Sequence, residues 1–268
     1  MAAGLRRSIL LGVLVLFILF LYGPTLTILV LSFQGPDGGL TFPMNGFSVH
    51  WFARLFQSQA VGDFGGSLIR SFALGTMVMA TTVVVSLAAG MAFRQRFWGA
   101  GPLFTLTVAS LIIPSILVSL GVGLLFNELG LDPNWYSSAF GAQLTWTLPF
   151  GLLIMFAVFN RFNPAWEEAA RDQGATAWQS FRHVVLPIIA PGVIGIALFG
   201  FTLSYDEFAR TLLTAGSDNT LPLEIFGMTT SVTTPVLYAL GTLTTVFSFV
   251  VILCSLIIVR LLAAKRVT

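Results

Sequence analysis

Six continuous apolar runs, at residues 8–32, 67–93, 102–126, 140–159, 188–205 and 236–262, constrain this chain more than any other feature. A helix needs about 20 residues to cross a bilayer core, where no water can satisfy backbone N–H and C=O groups. Continuous runs of that length specify helices, because a barrel would show alternating segments of about ten residues. The sequence therefore predicts an all-α membrane protein with six transmembrane helices. Charged residues make up 9% of the 268, against about 25% in a soluble domain, and agree with that class. The first run follows Arg6 and Arg7 and exceeds the apolar region of a signal peptide, about 7–15 residues, so it reads as an uncleaved span.

Alternating spans put successive polar segments on opposite sides, and the charges test this arrangement. With the N-terminus cytoplasmic, Arg6, Arg7, Arg94, Arg96, Arg161, Arg171, Arg182, Arg260, Lys265 and Arg266 lie inside, and Arg54, Arg70 and Arg210 lie outside. Ten basic residues against three obeys the positive-inside rule. Glu167, Glu168 and Asp172 are the inside acids, whereas Asp37, Asp63, Glu128, Asp132, Asp206, Glu207, Asp218 and Glu224 are outside. The two sides carry +7 and −5, which recovers the net +2 and argues against a basic nucleic-acid surface. Both termini are then cytoplasmic.

Cys254 is the only cysteine and sits in an apolar run, where it reads as a small core residue. With only His50 and His183 besides, no metal site is legible. In the longest outer loop, 34–66, Ser48 is placed to cap a short interfacial helix carrying Val49, Phe52, Leu55 and Phe56 at helical spacing. His50 and Trp51 read as interfacial anchors. The breakers Gly23 and Pro24, Pro114, Pro149, and Pro191 with Gly192 predict kinks within spans, since neighbours can satisfy the freed carbonyls.

One segment departs from this apolar pattern. Residues 167–187, EEAARDQGATAWQSFRHVVLP, hold two Glu, two Arg, an Asp and a His between apolar runs, on the cytoplasmic side. Good helix formers at 167–171, a break at Gly174 and resumed helical residues from Ala175 predict two short helices joined by a glycine turn. Pro187 falls at the start of the next span, where a missing N–H costs least. A small apolar face of Trp166, Ala169 and Ala170 between charged flanks suits docking to a soluble partner.

Glu168, Ala169 and Ala170, three residues, Gly174, nine residues, then Val184, Val185, Leu186 and Pro187 resemble the EAA loop of ABC importer permeases, with Val184 where the family usually has Ile. The resemblance implies a type I importer permease fold in a bacterial inner membrane, multi-pass and without a catalytic residue or cofactor of its own. Residues 1–66 would form the first transmembrane helix and an extracytoplasmic interfacial segment. Residues 67–268 would form a five-helix core with the coupling loop at 161–187. Trp166, Glu167, Glu168, Ala169, Ala170, Asp172, Gly174, Leu186 and Pro187 would couple it to a cytoplasmic ATPase dimer. The chain has no G-x-x-x-x-G-K-[ST] phosphate loop, so ATP and Mg belong to that partner. A sister permease and an extracytoplasmic solute-binding protein complete the implied complex.

FTLSYDEF at 201–208, LPLEIF at 221–226, TP at 234–235 with ALGTL at 239–243, and FPMNGFSVHWF at 42–52 are similar to the second permease of spermidine/putrescine importers. That branch also handles other small organic solutes and ferric iron. The transport path would then run near Ser204, Tyr205, Asp206 and Glu207, where acids attract a cation and an aromatic ring favours an ammonium group. The same acids could instead cap the helix end, pair with Arg210 or meet the binding protein. A zwitterionic or quaternary amine is the next solute class. A secondary transporter would carry midplane charges and repeated halves, a scaffold would explain the docking loop alone, and no nucleophile with a base supports an enzyme.

Overall fold

In the computed structural model, residues 2–57, 62–95, 97–231 and 234–264 are described. Arg96, Lys265 and Arg266, counted above among the cytoplasmic charges, lie outside them, as do the side chains of Arg260 and Cys254. All regular structure among the described residues is helical: α1 (Ala2–Leu31), α2 (His50–Leu55), α3 (Phe64–Phe93), α4 (Ala100–Ala109), α5 (Ser115–Glu128), α6 (Phe140–Phe159), α7 (Ala165–Asp172), α8 (Ala177–Ser180), α9 (Leu186–Tyr205), α10 (Leu221–Ser231) and α11 (Val236–Ala264). π-helical turns at Trp135–Ala139 and Phe181–Val185 run directly into α6 and α9. Four stretches, Arg6–Leu31, Phe64–Phe93, Trp135–Phe159 and Ala177–Tyr205, are long and apolar enough to cross a membrane. The chain forms two compact units, one drawn from Met1–Gly65 and Glu224–Leu256, the other from Gly66–Leu223 and Ile257–Thr268.

In the first unit, the corner after α1 is organised by Gln34, whose side chain is fully buried. Its amide nitrogen donates to the Gly39 carbonyl at 3.0 Å, and its Oε1 accepts from Asn45 N–H at 2.8 Å. A buried amide must spend its hydrogen-bonding groups on protein, and here they fold the chain back so that Phe33 stacks on Phe47 at 5.1 Å. Helix α2 forms where expected but begins one residue later than a cap at Ser48 would set, with Val49 as its cap residue and Ser48 Oγ accepting from His50 N–H at 3.0 Å. The reading of Trp51 as an interfacial anchor is corrected. Trp51 and Leu55 are buried, while Val49 and Phe56 are exposed. The reason is the indole N–H of Trp51, which donates to the Gly35 carbonyl at 3.3 Å and draws that ring inward.

The second unit is built around α6 and α9, with Met155, Phe162, Val185, Ile189 and Ile196 as its buried apolar centre. Small residues let the helices approach closely, as is usual in membranes. A Cβ on Gly192 would lie 2.3 Å from Val158 Cγ2, and one on Gly151 would lie 2.1 Å from Ser86 Oγ. Thr82 also donates to Thr147 at 3.0 Å between α3 and α6.

Two proline expectations are corrected. The third apolar run is two helices, α4 and α5, and Pro114 ends a span segment where only a kink was expected. Pro114 stands at ψ 131°, outside the helix, and Leu117 N–H bonds its carbonyl to start α5 afresh. Nor does Pro187 open the fifth span, because the helical run is continuous from Ala177. The π turn immediately before it widens the backbone, which relieves the ring's clash with the carbonyl four residues back. Pro24, Pro149 and Pro191 do lie inside helices.

Pro149 connects the two effects. Its absent N–H frees the carbonyl of Thr145, and Ser110 Oγ, in the break between α4 and α5, lies 2.6 Å from that oxygen. The same hydroxyl is 2.7 Å from the Thr107 carbonyl, so one proton serves both acceptors. Replacing Ser110 by Ala strands the Thr145 carbonyl, and a buried unsatisfied acceptor costs about 1–3 kcal/mol. Ser110→Ala should lower the thermal midpoint of the detergent-solubilised protein, whereas Ser110→Thr, which keeps the hydroxyl, should lose less.

Candidate functional site

The segment that joins α6 to α9 is built by local cap chemistry. Asn160 ends α6, and Asn163 Oδ1 accepts the Ala165 N–H at 3.0 Å as α7 begins. Glu167 and Glu168 occupy the first turn of α7 and Arg171 the last, the arrangement that the helix dipole favours. At the other end Ala175 N–H bonds the Ala170 carbonyl at 3.1 Å and Gly174 N–H bonds that of Arg171 at 2.8 Å. This is a Schellman motif, with Gly174 at φ +84° in the left-handed region. Thr176 then caps α8: its Oγ1 accepts from Gln179 N–H at 3.3 Å, and Gln179 Oε1 accepts from Thr176 N–H at 2.8 Å. That capping box was legible as T-x-x-Q at 176–179 and was not singled out in the sequence.

The turn separates the acids of α7. Glu167 points inward, where Arg94 Nη2 donates to its Oε2 at 2.8 Å and Arg171 Nη2 to its Oε1 at 3.1 Å. Glu168, Ala169 and Asp172 are exposed, and so is Trp166, which also meets Phe162 edge-on at 5.8 Å. Ala170 is half-buried. Leu186 and Pro187 lie at the start of α9, beyond the π turn on which α7 packs. A cleft of about 450 Å³ opens between Arg94, Glu167, Glu168 and Arg171 on one side and Ala177 and Phe181 on the other. The arrangement offers an outward face of two acids, a small apolar residue and an indole, carried on a short helix whose other acid is tied back.

The four residues at the far end of α9 do not face one way. Ser204 is buried and donates to Gln143 Oε1, while Tyr205 is buried and stacks on Phe201 at 5.8 Å. Asp206 is exposed at the helix end, and Glu207 is buried with its Oε1 accepting the Arg210 N–H at 2.7 Å. Desolvation by the surrounding protein raises the pKa of both carboxyls, that of Asp206 although its side chain reaches solvent, and it acts against the hydrogen bond and charge of Arg210 in the case of Glu207. Arg210 itself is 2% exposed. Its Nε donates to Thr145 Oγ1 at 3.2 Å, its Nη1 to Ser115 Oγ at 2.6 Å, and the guanidinium lies 4.7 Å from the Trp146 ring centroid. Burial lowers its pKa, yet a guanidinium so solvated keeps its charge.

Arg210, Gln143, Ser115 and Trp146 were not marked in the sequence as site residues. Nothing in local spacing brings residues 115, 143, 146 and 210 together, so only the Arg in a run of apolar and hydroxyl residues at 208–215 hinted at a buried charge.

Comparison with known proteins gives these arrangements a context. Residues 82–267 match the family described as "Binding-protein-dependent transport system inner membrane component". The chain is similar to the spermidine/putrescine transport system permease protein PotC of Haemophilus influenzae, with 29% identity over 90% of this chain and 92% of that one. It is 28% identical to the PotC protein of Escherichia coli K12, over 90% of each chain. Its fold is similar to that of a solved bacterial ABC transporter chain "involved in the import of the acidic polysaccharide alginate", with TM-score 0.70 and 19% identity over 96% of this chain and 95% of that one.

Because a Cβ on Gly174 would meet no atom within 4 Å, its role is confined to the backbone turn. Gly174→Ala should cost about 1–2 kcal/mol locally, and Gly174→Val more, as a β-branched residue at positive φ. Trypsin cleavage after Arg171, measured on membrane-inserted protein, should accelerate by about fivefold or more in the Ala variant and further in Val. Equal cleavage rates in all three proteins would contradict the turn's assigned role.

Proposed function

The chain belongs to the family of binding-protein-dependent transport system inner membrane components, and on that premise we propose that it conducts a small organic amine, of the spermidine and putrescine class, under the drive of an ATPase docked on α7. Permeases of this family are non-catalytic, multi-pass inner-membrane subunits of ABC importers that carry no cofactor, with ATP bound by the ATPase partner.

In this reading six spans cross the bilayer in a type I importer arrangement: α1, α3, α4 with α5, α6, α9 and α11. Residues 161–187 form the coupling loop of a core that extends over 67–268, preceded by the first span and an interfacial segment in 1–66. Helices α4 and α5 have 10 and 14 residues, too short singly, and cross as a pair. The observation that carries the coupling assignment is the geometry of α7. It turns Trp166, Glu168, Ala169 and Asp172 outward for a groove with basic residues, while Glu167 and Gly174 fix the helix to the chain's own framework. The complex would contain an ATPase dimer, a sister permease and a solute-binding protein.

The amine assignment is supported by the length over which the chain is similar to permeases named for spermidine and putrescine. It is supported too by the exposed carboxylate of Asp206 beside the buried Tyr205. A cation approaching this end meets Asp206, whereas Glu207 is engaged with Arg210. Asp206→Asn should therefore slow spermidine uptake at low ionic strength by about twofold to tenfold, with the difference fading as salt rises, and Glu207→Gln should have a smaller effect. Because partial desolvation by the surrounding protein raises the Asp206 pKa, its attracting charge is lost, as pH falls, at a higher pH than for a free aspartate. The wild-type advantage over Asp206→Asn should shrink in that acid range.

The decisive measurement is ATP hydrolysis by the complex purified through this chain, in nanodiscs with its binding protein, with and without spermidine or putrescine. We expect stimulation that requires both binding protein and polyamine. Stimulation by another solute alone would redirect the amine assignment, for instance to a quaternary amine or ferric iron. Absence of any co-purifying ATPase would overturn docking on α7.

A further inference from the structure

The Arg94–Glu167 pair lies apart from the exposed face of α7 and joins it to two helices distant in sequence. Arg94 is the first residue after α3, and its guanidinium carbon lies 5.1 Å from the Phe159 ring centroid and 5.0 Å from that of Phe162. Phe159 ends α6, and Phe162 belongs to the linker into α7. One guanidinium thus meets the end of α3, the end of α6 and the first turn of α7. Its Nη1 also contacts Met91 Sδ at 3.7 Å, which anchors it on α3 itself.

The environment makes this contact stronger than an exposed ion pair. The Arg94 and Glu167 side chains are 22% and 14% exposed, and the Phe159 and Phe162 rings cover part of the guanidinium. A charge-assisted hydrogen bond in such surroundings is shorter and firmer than its surface counterpart, and removing one partner leaves the other charge poorly solvated. Arg171 holds the second Glu167 oxygen, so the carboxylate is fixed from both sides and its direction is set by α7. Displacement of α7 must then pull on Arg94 or break this bond.

We propose that Arg94 is a positioning residue that transmits movement of α7 to α3 through Glu167, while Phe159 and Phe162 keep its guanidinium aligned. This proposal rests on the reading of α7 as the docking site of an ATPase, and it adds the route by which docking reaches a membrane-spanning helix. Rigid coupling requires a physical element that moves as one piece, and the pair supplies one between α7 and the end of α3.

The test uses the complex purified through the full chain, with Cys254 replaced by Ser and spin labels on cysteines introduced at Ala92 and Gln173, both exposed and near the two ends to be compared. Pulsed electron resonance reads the distance between labels without nucleotide and with ATP trapped. With Arg94 present the distance distribution should stay narrow and the same in both states. In Arg94→Gln the ATP-bound distance should shift by about 2 Å or more, the scale of helix displacements in such transitions. Arg94→Glu and Glu167→Arg should each show the shift, and the double exchange should restore the narrow distribution. A shift dependent on nucleotide and reversed by charge exchange is not what a residue serving stability alone would give. An Arg94→Gln distribution identical to the unsubstituted one in both states would overturn the proposal. Failure of the docking reading looks different, since no ATPase would then co-purify with the unsubstituted chain.

Discussion

Every backbone carbonyl within a bilayer must find a donor, and this constraint shapes the second unit more than any single side chain does. Where the sequence permits an unbroken ladder, as in α3, the helix needs nothing else. Where Pro149 removes a donor, another part of the chain supplies one. Ser110 donates to the carbonyl that Pro149 frees, so the break in one span and the kink in another are parts of one arrangement. The π turn before Pro187 is a second solution, in which the backbone widens and the helix continues.

Polar side chains buried at the end of α9 obey the same requirement. Arg210 is tolerated at 2% exposure because Thr145, Ser115 and the Trp146 face replace its hydration. Thr214 Oγ1 donates to the Arg210 carbonyl at 2.6 Å, and Ser138 donates to the Thr214 carbonyl at 2.7 Å. The segment after α9 is thereby locked to α5 and to the start of α6, leaving Asp206 as the acid that faces outward. At the opposite end of the polar inventory, α7 owes its placement to caps and to the Arg94–Glu167 bond, and few of its side chains are buried.

Legibility from sequence followed the range of the interactions. The helical class and the two short helices around Gly174 come from residues within one or two turns of each other. Gly174 could be read because a turn there needs a residue that accepts positive φ, and the structure has it at +84°. Trp51 was misread as an interfacial anchor because an indole in a short outer helix suits a lipid interface, whereas its N–H found its acceptor at Gly35, 16 positions earlier. Pro114 was read as a kink for a similar reason. Spacing alone does not reveal whether neighbours will repair a broken ladder or let it end.

By itself the sequence determined that this chain is a helical membrane protein and that one charged segment folds as two short helices about a glycine turn, because apolar run length and cap residues act locally. Tertiary structure decided which of two adjacent acids is tied inward, which carboxylate at the end of α9 remains exposed, and which hydroxyls solvate Arg210. The first and last of those outcomes join residues 65 to 95 positions apart, such as Arg94 with Glu167 and Ser115 with Arg210. A contact of that range depends on how helices pack, and helix packing is settled by shape and burial summed over the whole unit.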